Sequence, residues 1–338
     1  MNHTQTNETP YPKATVVVTV HNREQYIGQC LDSIIAQTLR DIEIICVDDA
    51  STDSSYEILQ RYAAHDNRIR LHRFEENGGV QRSRNHALNT ARGEFIFFVD
   101  DDDWLGIDCV ELCIQRFTED ETIDCVVLSE IRQAPDGRQY EPSGQQKIGK
   151  ITGEEAFLLS LPWRISGNFC VRTEFQKQHP YDNSCRYFGD ENTGRMTLLS
   201  SKYVVQSEGT YYYRMTEDSV CHSKSIGHYS RLHAQRVLAD TLRTMGGQLH
   251  LRKAYETFCW ENIIHAYMRY YKERGEMSAA MRHEALALIK QAWKQADSTL
   301  ASPSITRKFG YIPFHSSWRM FRIQEETYFF LRTILGRM

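Results

Sequence analysis

The 338-residue chain has no run of eighteen consecutive apolar residues, so no segment could cross a bilayer as a helix. Its first thirteen residues, MNHTQTNETPYPK, lack the apolar core of a secretory leader. Both absences predict a cytoplasmic protein. Its nine cysteines form no CxxC pair and show no zinc-type spacing with histidine. Cys109 and Cys113 are four apart and would share a helix face, but two thiols do not make a zinc site. Reduced thiols are expected rather than a disulfide framework. A formal net charge of −4 gives no electrostatic case for nucleic acid as a partner. There is neither an internal repeat nor a low-complexity tract. What remains is a globular composition, 41% hydrophobic, with length enough for one large domain or two ordinary ones.

The first 130 residues alternate β-branched runs with amphipathic segments. ATVVVTV (14–20), IEIICV (42–47), IRLHRF (69–74), EFIFFV (94–99) and CVVLS (125–129) predict strands. Helices are predicted over 24–38, up to about His65, and over 80–92. STDSS (51–55) offers hydroxyl and carboxylate N-caps to the second. Such alternation implies an α/β fold with right-handed crossovers and a mainly parallel central sheet covered on both faces. Ligands of these sheets lie beyond the carboxyl ends of the strands. That edge collects His21 and Asn22, Asp48 and Asp49, Asn77 to Gly79, and Asp100 to Asp103.

Residues 130–150 are rich in turn formers, and Thr152 with Glu155 fits a capping box. A mixed section follows, with FGDEN (188–192), a helix predicted over 191–201 and the aromatic strand TYYYR (210–214). From about Gly227 the pattern is helical, over 229–245, 249–274 and 279–299. The tail from Pro303 to Met338 has six Arg or Lys against two Glu, interleaved with aromatics.

FVDDDDWL (98–105) ends a buried strand in four adjacent carboxylates. Like charges this close require water, a proton or a cation between them. Taken alone the run fits a solvated acidic loop as well as a cation site. An EF-hand loop fails in both registers, because Leu105 would replace the glycine or Leu112 the closing glutamate. Position at the ligand edge favours Mg²⁺ or Mn²⁺, which take few protein carboxylates and complete their shell with water and phosphate oxygens. Alternate residues of extended chain point the same way, so Asp100 and Asp102 are expected to share one target.

These segments together resemble the family 2 glycosyltransferases of GT-A fold, over residues 12 to 215. The matching stretches, in the family's order, are VVVTVHNREQYIGQCLDSIIAQT, IICVDDASTDSS, NGGVQRSRNHAL and FVDDDDWL. The resemblance implies a polar tail at 1–13, a GT-A catalytic domain at 14–222 and a C-terminal helical region at 227–338. Within the catalytic domain, 14–130 would bind the nucleotide sugar and 131–222 the acceptor. It assigns Asp100 and Asp102 to the D-x-D pair, with Asp102 the metal ligand, Asp101 orienting ribose and Asp103 structural. Asp48 and Asp49 match the base-binding aspartates, and an ionised carboxylate there accepts the imide N–H of uracil. Thr19, His21 and Asn22 lie where the family wraps base and ribose, and Asn77, Gly78 and Arg84 match its Asn-Gly and Arg-Asn element. Such an arginine would neutralise phosphate or hold Asp48 or Asp49.

Direct displacement at an anomeric carbon needs a carboxylate to take the acceptor's proton. The family has Glu-Asp at a helix start after an aromatic-glycine turn, whereas this chain has Asp190-Glu191. Residue type favours Asp190 and alignment favours Glu191. TYYYRMTEDSVCHS resembles the family's closing strand and loop, which makes His222 a candidate metal or phosphate contact and Arg214 a candidate for the diphosphate.

The implied activity is metal-dependent, inverting transfer of one sugar, UDP-linked by preference, to a hydroxyl of a surface glycan or lipid-linked saccharide. Mn²⁺ or Mg²⁺ is the implied cofactor. A nucleotidyltransferase is the first alternative, although TVHNREQ lacks the glycine-rich, lysine-bearing triphosphate loop it would need. A non-catalytic nucleotide-sugar-binding module is the second. The C-terminal helices are expected to pack on the catalytic domain or to form a homodimer. The basic, aromatic tail fits the inner face of an anionic membrane and ordinary packing equally well.

Overall fold

The computed structural model describes residues 11–185, 187–216, 225–306 and 317–336. The chain divides into two units, Met1–Thr216 and Glu217–Met338.

In the first unit, β1 (Ala14–Val20), β2 (Ile42–Asp48), β3 (Ile69–Arg73) and β4 (Phe95–Asp100) lie in the order β3-β2-β1-β4, all parallel. The helices α1 (Ile27–Ile35), α2 (Ser55–His65) and α3 (Val80–Thr90) make the crossovers. Every residue of β1 and β2 is buried, as expected of strands covered on both faces. Alternate residues of β1 serve different cores. Val16, Val18 and Val20 pack with Cys30, Leu31 and Ile34, whereas Val17 packs with Ala87 and Leu88. Each such side chain contributes roughly 1.5–3 kcal/mol on burial.

Beyond β4 the sheet departs from the parallel pattern. The turn after β4 leads into β5 (Trp104–Leu105), and α4 (Cys109–Glu119) follows with Cys109 and Cys113 on its buried face. β6 (Cys125–Gln133) does not pair with β4. Between them lies β9 (Phe169–Arg172), antiparallel to both. This four-residue strand has no hydrophobic alternation to announce it. β10 (Tyr203–Arg214) runs parallel to β6 with a register shift between Gln206 and Thr210. The predicted strand at 210–214 is thus the second half of a twelve-residue one. A Cβ on Gly209 would lie 2.8 Å from the Cys109 carbonyl, so the bulge needs glycine there. Short pairings by β7 (Gln139–Tyr140) and β8 (Ile151–Thr152), with α5 (Gly153–Ser160), α6 (Thr173–Lys177) and α7 (Gly189–Ser200), complete the unit.

The first helix starts later than its periodicity predicts, because residues 22–24 are tied to the loop before α2. Glu24 accepts from the Ser54 amide at 2.9 Å and its own amide donates to Asp53 at 3.1 Å. Ser54, the N-cap of α2, makes no side-chain cap; the Asp53 carboxylate instead accepts from the Ser55 amide at 2.9 Å. The capping box of α5 forms as expected, with Thr152 Oγ1 accepting from the Glu155 amide at 3.2 Å and Glu155 Oε2 accepting from the Thr152 amide at 2.8 Å. Thr152→Ala is expected to cost about 1 kcal/mol, measured by chemical denaturation.

The second unit is helical: α8 (Ser230–Thr244), α9 (Leu249–Glu273), α10 (Ala279–Gln295), α11 (Pro303–Thr306) and α12 (Trp318–Ile334). Its core is aromatic, built around Trp260, Tyr267, Trp293, Phe321 and Phe329. Arg236 and Glu256 form a buried ion pair at 2.8 Å, and Glu256 also accepts from the Asp297 amide. The tail therefore contains a helix that its charge pattern had hidden. Phe321 and Phe329 pack inward while Ile323, Phe330, Leu331 and Ile334 are exposed. No helix among the described residues is long and apolar enough to cross a membrane. Eight cysteines are described, all free and buried.

Candidate active site

The carboxyl ends of β1, β2 and β4 lie side by side, with Val20 opposite Asp48 and Thr19 opposite Asp100. The loops after β1, β2, β3 and β4 leave this edge and bind one another. After β1, the His21 amide donates to Asp101 Oδ2 at 3.0 Å, and His21 Nδ1 lies 2.9 Å from the Asp49 carbonyl oxygen. Asn22, at φ 55°, donates its amide to Ser51 Oγ and accepts from the Thr52 amide at 2.8 Å. After β2, Asp49 points both oxygens at the third loop, accepting from the Gly78 amide at 2.9 Å and the Gly79 amide at 2.7 Å. Asn77 Nδ2 adds a contact to the Asp49 carbonyl. Asp49 thereby holds the loop before α3. Asp48 is different. It is fully buried, its Oδ2 meets the Ser51 amide at 3.2 Å and Arg73 Nε at 3.2 Å, and its Oδ1 has no hydrogen-bond partner among the described residues. A buried carboxylate with one unpartnered oxygen can accept one further N–H.

The acidic run is a turn rather than extended chain, and this changes how its side chains are shared. β4 ends at Asp100, whose Oδ1 accepts from Arg84 Nη2 at 2.6 Å. Asp101 and Asp102 instead both approach Arg23 Nε, at 3.5 and 3.7 Å. Asp100 and Asp102 therefore do not aim at one target, contrary to the alternation expected of a strand. Asp103 is 1% exposed and structural: Tyr211 donates to its Oδ2 at 2.7 Å and the Arg214 amide to its Oδ1 at 2.7 Å. Arg214 turns to the same turn, with Nε donating to the Asp102 carbonyl at 2.8 Å and Nη2 to Gln29.

Burial pushes the Asp101 and Asp103 carboxyls well above the usual carboxylate range, and the neighbouring aspartates add to it. Asp102 is raised for the same reasons, with Arg23 opposing. Arg23 Nε makes no hydrogen bond among the described residues, so its compensation of the pair is incomplete. Hard oxygen donors carrying excess charge suit a divalent cation. No group of three protein donors converges among the described residues, so water and phosphate oxygens would complete any shell. His222 lies outside the described residues.

These shifts have a sign for stability. An unfolded chain releases these protons at ordinary carboxylate pH, before the folded one does, so stability falls as pH rises above that range. Asp101→Asn is expected to raise the Tm of the metal-free protein at pH 7 by a few degrees and to leave it unchanged near pH 3, read by calorimetry. An equal shift at both pH values would refute the electrostatic origin.

α3 brings the remaining groups together. Arg84 is buried, with its guanidinium against the rings of Tyr181 and Phe98. It reaches Asp100 at 2.6 Å and Asp190 Oδ2 at 3.8 Å, and of the partners expected for it, a phosphate or Asp48 or Asp49, it touches neither aspartate. Asn85 clamps the Tyr181 backbone, donating to its carbonyl and accepting from its amide, each at 2.8 Å. That clamp fixes the segment leading to α7. Phe188, at φ 63°, turns the chain into the helix, and a Cβ on Gly189 would meet the Asp182 carbonyl at 2.8 Å. Asp190 and Glu191 then diverge. Asp190 faces Arg84, and Glu191 pairs with Arg195 at 3.1 Å, one turn on. Burial, with Glu191 and Asp100 nearby, raises the Asp190 carboxyl, and Arg84 restrains the rise.

Comparison with known proteins agrees with this geometry. The model of glycosyl transferase family 2 matches residues 15–179. Glycosyltransferase GlyG of Streptococcus pneumoniae serotype 4 is 30% identical over 218 residues, which cover 61% of this chain and 72% of GlyG. The chain belongs to glycosyl transferase family 2. Glycosyltransferase GlyA of the same organism is 46% identical over 107 residues, but the match covers 32% of this chain and 15% of GlyA. The family 2 fold is also that of S. aureus TarS 1-349, whose structure in complex with UDP-GlcNAc superposes with a TM-score of 0.72. That match covers 96% of this chain and 92% of TarS 1-349 at 19% identity.

Sequence reasoning missed four residues of this family 2 site, Arg23, Arg73, Tyr181 and Tyr211, and Arg23 lies in the loop after β1 against Asp101 and Asp102. Arg73 holds Asp48, and the parallel register Asp48↔Arg73 could have shown it. Tyr181 carries no motif, and Tyr211 was read only as part of the strand TYYYR; both reach the site from segments whose placement depends on β9 and β10.

Proposed function

We propose that the chain transfers one sugar from a UDP-sugar to an acceptor hydroxyl with inversion at the anomeric carbon. The observation that carries this is the Arg84 guanidinium, which links Asp100 of the acidic turn to Asp190 at the start of α7. A nucleotide-binding edge and a candidate base then face one site. Asp48 Oδ1 receives the imide N–H of uracil, with Arg73 orienting the carboxylate. His21 and Asn22 border the base, and Asp101 orients ribose hydroxyls. Asp102 would hold Mn²⁺ or Mg²⁺, with water and phosphate oxygens completing the shell, and the ion would neutralise charge on the departing diphosphate; Asp100 stays with Arg84.

In the reaction the acceptor oxygen bonds to the anomeric carbon as the bond from that carbon to the diphosphate oxygen breaks. UDP leaves with the electron pair, and the acceptor's proton passes to Asp190. Glu191 is held by Arg195 and serves to position the helix start. The acceptor is a hydroxyl of a growing surface glycan or a lipid-linked saccharide, received by the section after residue 130.

A thermal-shift panel of UDP, GDP, CDP and dTDP with and without Mn²⁺ tests this reading. UDP with Mn²⁺ at a hundredfold its Kd is expected to add about 2.7 kcal/mol, a rise of several degrees. Asp102→Ala is expected to remove the metal-dependent part. Equal shifts with all four nucleotides would overturn the uracil assignment, and no shift with any would overturn the donor site.

A further inference from the structure

Four non-glycine residues among those described have positive φ: Asn22, Ala50, Phe188 and Trp163. The first three lie in loops that build the site above. Such backbone is strained and persists only where its surroundings impose it. Trp163, at φ 56°, is the fourth, and no part of the donor site accounts for it. It is also 41% exposed, a large aromatic surface to leave in water.

Topology places Trp163 on the same edge. β9 is antiparallel to β4 with Phe97 opposite Cys170, so the chain entering β9 at Phe169 comes from the carboxyl end of β4. Residues 161–168 are that entry. The indole lies over the Arg195 guanidinium, 5.4 Å from ring centroid to Cζ. Arg195 is only 3% exposed, so the ring roofs it and turns its other face outward. Arg195 in turn binds Glu191, which adjoins Asp190. The ring is also seated closely, since a Cβ on Gly167 would stand 3.3 Å from Trp163 Cζ3. An aromatic face with a cation fixed beneath it and solvent above is a ready stacking surface.

We propose that Trp163 is the platform on which the acceptor stacks, and that the acceptor's terminal unit is therefore a pyranose ring. A pyranose presents a flat face of C–H groups to the indole, whereas a linear polyol phosphate has no such face. The ring would hold the acceptor beside Asp190, so that one hydroxyl is presented to the base. This rests on the sugar-transfer reading above and adds to it the class of acceptor.

The test is calorimetric titration of the full chain with chitobiose, cellobiose and ribitol phosphate, each with and without UDP and Mn²⁺. At least one disaccharide is expected to bind the wild type and to bind Trp163→Ala and Trp163→Gly about tenfold more weakly. Trp163→Tyr should recover to within about threefold, and UDP affinity should stay within about twofold in every variant. Glycine suits the left-handed backbone, so Trp163→Gly separates the loss of the ring from a failure to fold. Wild-type disaccharide affinity in folded Trp163→Gly would overturn the assignment. So would binding of ribitol phosphate alone, or of none of the three probes. Failure of the wild type to bind UDP would count against the donor reading, while disaccharide affinity still decides Trp163.

Discussion

Replacing Asp190 by Asn should lower kcat by about a thousandfold while leaving UDP affinity within about twofold. The amide keeps the volume of the side chain but cannot take the acceptor's proton. Two features single out Asp190. It faces Arg84, and through it the acidic turn, whereas Glu191 is turned to Arg195. Its carboxyl is also raised by burial, which makes it a stronger base than a solvated aspartate. The base must be ionised to act, so kcat should rise with pH through the raised pKa and then level off. The acid limb should lie above the ordinary carboxylate range. Glu191→Gln should cost less in kcat and more in Tm, because it breaks the pair with the buried Arg195. If Asp190→Asn keeps full turnover while Glu191→Gln loses it, the base is Glu191.

Asp103→Ala should destabilise the protein by about 2–4 kcal/mol, seen as a fall in Tm of roughly 5–15 °C. Asp103 is 1% exposed, and the Tyr211 hydroxyl and the Arg214 amide each donate to it at 2.7 Å. Alanine would leave both donors buried without their acceptor and would free β10 from the acidic turn. The same change should weaken UDP binding in Mn²⁺, since Arg214 also fixes the Asp102 carbonyl. Asp103→Asn keeps one acceptor oxygen and removes a buried charge, so its loss should be smaller. Calorimetry on both variants decides it. An unaltered Tm for Asp103→Ala would mean that the contact does not anchor the turn.

β1, β2 and β4 were legible because each is a run of largely buried β-branched or aromatic residues ended by polar groups, whereas β3 is an edge strand buried only at Ile69. Parallel pairing follows from the helices between them. β9 was not legible, since FCVR is four residues long and draws its stability from two neighbours rather than from its own pattern. α12 was hidden by a tail whose apolar residues serve two faces. The capping box of α5 was legible because it is local, needing only a threonine and a glutamate three residues apart.

Within the site, the sequence by itself determined which residues reach the edge. Asp48, Asp49 and Asp100 to Asp103 lie at strand ends that periodicity locates, whereas Arg84 within α3 and Asp190 in the first turn of α7 were singled out by the family resemblance. Only the tertiary structure decided what each of them touches. Arg84 pairs with Asp100 and Asp190, Arg73 with Asp48, and Asp49 with two glycine amides. Asp101 and Asp102 face Arg23 because the chain turns after Asp100. The physical reason is that element ends are set by local backbone preferences, whereas side-chain pairing depends on distances between segments far apart in the chain. A carboxylate's role changes with a few ångströms in those distances.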